Sequence, residues 1–258
     1  MSKNIFTILL ALITFQLQAQ QQEYASLDYY ENVYKHYQKN YAAYDLEVQQ
    51  LVEKEKHLIN VEKLNILIPL ITQREAFFNQ IAAIIRKIAA KHEEISAIKK
   101  NNGLLNEART HLQLAAEKWE EQAEFYRQEA VKIQEHDNFR SANFFKNAFY
   151  AYKSAQDKWL KYDSLVLPSA SREKIVAADS ERVKNLFFSG VNVMKEAAKC
   201  YQSASMEKST VAQTENKNPL NSGKFWLEAA QAQEEYENLT QTVDELEKSL
   251  NANTYLLK

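Results

Sequence analysis

The sequence predicts an all-α protein, an elongated bundle of about six long antiparallel helices with heptad-like seams. Three observations carry that expectation. The chain of 258 residues holds three glycines and three prolines, where ordinary usage would supply roughly thirty of the two together. Sheets and tight loops need Gly for positive φ and Pro for turns, so a chain this poor in both makes few turns and long helices. Apolar side chains also recur in alternating steps of three and four over most of the length, the pattern of a helix seam. The phase of that pattern breaks at only a few places, each marked by turn-forming residues.

The first residues are read as a targeting signal over 1–19. Lys3 gives a positive start, Ile5 to Phe15 is an apolar run, and Ala19 supplies a small residue at the end. That is the order of a secretory signal peptide, and the run falls short of the ~20 residues that span a bilayer. No cysteine follows it, which excludes a lipid anchor at this point. The expectation is an exported bacterial protein, periplasmic or secreted, whose residues 20–258 form one all-α domain.

A first helix is expected from about Tyr24 to Leu58, with Leu27, Tyr30, Tyr34, Tyr37, Tyr41 and Tyr44 leading its seam. A linker is expected over Asn60 to Ile71. Thr72 and Glu75 then have the capping-box spacing that opens a helix. The second helix, about Gln73 to Lys100, has a seam of Phe77, Ile81, Ile84, Ile88, Ile95 and Ile98 and stops at Asn101-Asn102-Gly103. Gly103 suits a left-handed cap. The third, Leu104 to about His136, carries Leu105, Leu112, Trp119, Tyr126 and Ile133 at strict sevens, beside a lane of Ala116, Ala123 and Ala130. The register slips at Asp137-Asn138, residues that favour turns and N-caps. A fourth helix follows to about Leu167, and a fifth from about Arg172 to Thr214. Thr214 to Ser222, which holds Pro219, is expected to be a loop. The last helix carries Phe225, Ala229, Ala232, Tyr236, Leu239 and Val243.

A second architecture is also expected from local motifs. Ala148-x3-Tyr152-x2-Ala155, Ala197-x3-Tyr201-x2-Ala204 and the looser Ala115-x3-Trp119 resemble the second helix of tetratricopeptide repeats. That resemblance implies α-α repeats and an adaptor role. The motif separations depart from the 34-residue period of that family.

Lys+Arg number 32 against Asp+Glu 34 and are mixed along the chain, so no basic stripe points to nucleic acid. The isolated glycines exclude a phosphate-cradling loop and a dinucleotide fingerprint. No histidine stands in a Glu-x-x-His pair or a zincin helix. Cys200, among Val193, Ala197 and Ala204, reads as a small buried side chain. These readings predict a protein with no catalytic residues, no metal and no cofactor.

Two features stand out as candidate sites. Tyr30, Tyr34, Tyr37, Tyr41 and Tyr44 form a ladder that serves as core or as a partner surface, because tyrosine suits places with one dry and one wet end. Leu64, Ile66, Leu67, Ile68, Leu70 and Ile71 form an apolar run that is either a buried linker or a membrane-seeking segment. A secreted all-α chain with one apolar tongue is similar in outline to the cytolysin A-like pore-forming toxins, which implies membrane activity. The leading expectation is a non-enzymatic scaffold that binds a protein partner or itself through helical faces, with Trp119, Trp159 and Trp226 as anchors wherever those faces are exposed.

Overall fold

The computed structural model describes residues 26–50, 61–134, 137–165, 172–214 and 219–251, and among them every long segment is helical, with no strand. The protein is an all-α helical bundle. Its helices are α1 (26–50), α2 (Val61–Asn101), α3 (Leu105–Ile133), α4 (Asn138–Ser164), α5 (Arg172–Thr214) and α6 (Pro219–Asn251). Packing divides the chain into two compact units, Met1–Ile98 and Lys99–Lys258.

In the first unit α1 and α2 run antiparallel. Tyr30 lies under Lys87, whereas Tyr41 meets Phe78 and Tyr44 meets Phe77, so partner numbers fall as those of α1 rise. The inner stripe of α2 is Phe78, Ile81, Ile84, Ile85, Ile88 and Ile95, all buried. β-branched Ile is stiff at χ1, so it fills a seam with little rotamer freedom left to lose.

The linker expected over Asn60 to Ile71 is corrected: α2 is continuous from Val61. The Thr72–Glu75 spacing is one helical turn, so it fits inside a helix as well as at its start. Pro69 removes one N–H from the helix interior without ending it. The C-terminal end of α2 follows expectation. Gly103 has φ 77°, its N–H donates to the Lys100 carbonyl, and the Leu104 N–H donates to that of Lys99. This pair of bonds is a Schellman cap, which only a residue at ease with positive φ can close.

In the second unit the helices pack in chain order, α3 on α4, α4 on α5 and α5 on α6. Asp137 caps α4 by accepting from the Arg140 N–H. Two serines tie helix ends together. Ser141 near the start of α4 donates to the Ala130 carbonyl near the end of α3 at 2.8 Å, and Ser222 near the start of α6 donates to the Ala212 carbonyl of α5 at 2.9 Å. Each fastens the last turn of one helix to the first turn of the next.

The core of this unit is largely alanine. Ala116, Ala123, Ala130, Ala142, Ala148 and Ala155 are fully buried, and so are Ala197 and Ala232. Trp119 and Tyr126, which lie on the strict-sevens lane, are only half-buried. The alanine lane therefore forms the line of closest approach, and the aromatics flank it. The motifs that resemble tetratricopeptide helices lie at this core, with Ala148, Ala155, Ala197, Ala204 and Tyr201 all buried. They stand on helices of 27 and 43 residues. One further boundary is corrected: Pro219 to Ser222 are helical rather than loop. Pro219 is the first residue of α6, where its missing N–H has no intrahelical acceptor to lose.

Candidate functional site

The tyrosine ladder lies along the contact of α1 with α2. Tyr34 is buried, and Tyr30, Tyr37, Tyr41 and Tyr44 are half-buried. The Tyr44 ring stacks on Phe77 at 5.5 Å between centroids, and Tyr37 meets the same ring at 6.1 Å. Two hydroxyls have identified donors: Tyr34 accepts from Gln38, and Tyr41 accepts from Arg74 at 3.0 Å. Arg74 is buried, lies over the Tyr41 ring at 5.2 Å, and is held by Asp45 at 2.5 Å. A buried arginine needs such a set of partners. Arg74 was hidden from sequence reasoning inside an apparent capping box.

Of the apolar run, Leu70 and Ile71 are half-buried. Leu64, Ile66, Leu67 and Ile68 belong to α2, and their side chains fall outside the described residues. Among the described residues no helix is long and apolar enough to cross a membrane. Residues 1–19 also lie outside the described residues.

The three tryptophans separate clearly. Trp159 is 3% exposed, and its indole N–H donates to Glu120 at 2.6 Å. Arg182 lies over that indole at 4.2 Å and binds the same carboxylate. Trp119 packs half-buried beside it. Trp226 on α6 is 46% exposed, next to Leu227 at 72% and near Leu220 at 86%. Leu220 and Leu227 are seven residues apart, so they share one face of the helix. The opposite face, with Ala229, Ala232, Leu239 and Val243, is buried.

A cleft of about 330 Å³ opens between α4, α5 and α6. Its apolar lining is Phe149 and Leu160 from α4, Leu186 and Phe187 from α5, and Leu246 from α6. Gly190 lines it too. A Cβ there would stand 3.3 Å from the Phe149 ring, close enough that the ring would have to give by a few tenths of an ångström. Lys153 and Asp157 of α4 and Glu245 of α6 bring the charges. Asp157 bonds both Lys158 and Lys161 at 2.9 Å. Burial opposes its charge, but the two lysines outweigh burial and hold its carboxyl below the usual range. No local pattern marks this cleft, because its walls come from three helices and one side from a lone glycine.

The buried titratable groups are structural in their surroundings. Burial pushes the Cys200 thiol up, against a weak contact with the Ser141 hydroxyl at 3.7 Å. A thiol so placed is a poor nucleophile. Burial, with the charge of Lys99, pushes His111 below its ordinary value, while Glu107 opposes the shift. Among the described residues no three His, Cys, Asp or Glu side chains converge on one point where a metal would sit. No protein-family model matches the chain, and no curated protein matches its sequence.

Proposed function

We propose that the chain is an exported, non-enzymatic helical binding protein that engages a protein partner through the first turns of α6. One observation carries this reading: Trp226, Leu227 and Leu220 stand exposed on a helix whose other face is already packed. Large apolar side chains grouped on a surface mark interaction sites, and Trp is the residue most enriched among binding hot spots. The polar setting fits a partner that binds and leaves. Glu228 is flanked by Lys208 and Lys224, giving the patch a charged rim, which favours orientation and speed of encounter over bulk affinity.

Site-specific cross-linking tests the reading. A photoreactive benzoylphenylalanine is placed at Trp226 in one strain and at Lys132, an exposed polar position on α3, in another. Irradiation is expected to give a discrete adduct from position 226 and none from 132. Adducts from neither position, or equally from both, would sink the proposal.

A further inference from the structure

We propose that the cleft between α4, α5 and α6 binds a small organic anion, a molecule with an apolar body and a single acidic group. This site is separate from the α6 surface above and does not depend on it. At about 330 Å³ it lies at the lower end of small-molecule pockets, which run from roughly 300 to 1,000 Å³. It is too small for a protein segment, since a stable protein interface covers about 800 Å² on each partner.

The lining selects the ligand's chemistry. Phe149, Phe187, Leu186 and Leu246 give the floor and walls an apolar character, so the ligand body is alkyl or aryl. Lys153 lies one turn from Phe149 on the same stripe of α4, at the exposed edge of the cleft. Among the described residues no carboxylate lies in ion-pair range of it. Asp157 is the nearest acid along the helix, and it is already held by Lys158 and Lys161. The positive charge of Lys153 is therefore available to a ligand's carboxylate or sulfonate. Glu245 on the α6 wall accepts from Gln241 at 3.4 Å, and among the described residues no cation is in ion-pair range of it. Its charge limits the ligand to one acidic group, because a second would face a like charge.

The test uses anilinonaphthalene sulfonate, an aryl monoanion that brightens in apolar surroundings, and phenylnaphthylamine, the same kind of ring system without the acid. The folded wild-type protein is expected to bind both saturably with one site per chain. Lys153→Met keeps an apolar stem and removes the charge at an exposed position, so the fold is retained. It is expected to weaken the anion about fivefold and leave the neutral probe unchanged. Leu246→Trp, which fills the cleft from a half-buried position, is expected to abolish both, with the melting point checking the fold. Non-saturable binding of the anion, equal affinity for it in Lys153→Met, or equal loss of both probes in that variant would each overturn the proposal.

Discussion

The two units solve the same packing problem with opposite side chains. In the first, α2 presents Phe78, Ile81, Ile85 and Ile88 while α1 answers with tyrosines. Among the described residues of the second, alanine is the commonest buried side chain, set around a few buried rings such as Phe145, Trp159 and Tyr201. Bulky seams hold helices apart and bury much apolar area per residue, whereas alanine seams bring backbones together. Fragility should differ accordingly. A bulky seam suffers when a side chain is removed, and an alanine seam suffers when one is added.

The largest expected effect is on the bulky seam. Ile88→Ala removes a fully buried side chain and should cost about 2–5 kcal/mol. Enlarging the alanine seam with Ala123→Leu should cost about 1–3 kcal/mol by overpacking. Urea unfolding of both variants, with Ala83→Leu on the exposed side of α2 as a control, measures the contrast. If Ala123→Leu is as harmless as the control, the alanine seam is loose and the comparison fails.

A finer test sets Tyr37→Ala against Leu239→Ala. Leu239 is buried in the second unit's main core, so its truncation should cost about 2–5 kcal/mol. Tyr37 is half-buried with its ring against Phe77, and about 1–2 kcal/mol is expected for its loss. Thermal melts that put Tyr37→Ala above Leu239→Ala in cost would show the ladder to be a true core.

The smallest effect is electrostatic and belongs to the second unit. His111 is held below 6.5 by burial and by Lys99, so the folded state favours the neutral ring. Below about pH 6.5 the unfolded chain takes up a proton that the folded chain resists. This contribution to stability is therefore whole above that pH and is lost as pH falls through the folded value. Denaturation at about pH 7 and about pH 5 should show a loss that His111→Gln reduces. An identical loss in that variant would assign the acid sensitivity to other groups.

The helical fold was legible because scarcity of Gly and Pro and a three-four period are properties of every long stretch of the chain. The Gly103 cap and the Asp137 cap were legible because each uses one residue type for one backbone need. The start of α2 was not, because a capping box has the spacing of an ordinary turn and Pro69 reads as a stop. Nor was the choice between the two lanes of α3. Leu, Trp and Tyr at strict sevens look like core in any one-dimensional pattern, yet only a tertiary neighbour decides which lane it meets. The cleft depends on side chains from α4, α5 and α6 together, so no local pattern could announce it. The two tryptophans were easier to tell apart, since Trp159 stands four residues after Ala155 on its seam and is buried, whereas Trp226 stands one position off the seam of Phe225, Ala229 and Ala232 and is exposed.

The serine ties at the helix ends bear on how this chain finds its structure. Ser141 reaches back to Ala130, and Ser222 to Ala212. Each tie therefore closes a short loop, and closing a loop becomes more costly only slowly with length, by about 0.6 kcal/mol per doubling. The turn of each hairpin is thus where order costs least entropy. From there the paired helices can zip toward their far ends, and the next hairpin adds onto a finished neighbour, because α3 to α6 pack in chain order. The second unit is thus expected to fold by elongation from these corners, and hydrogen exchange during refolding that protects helix centres before residues 130–141 and 212–222 would contradict it.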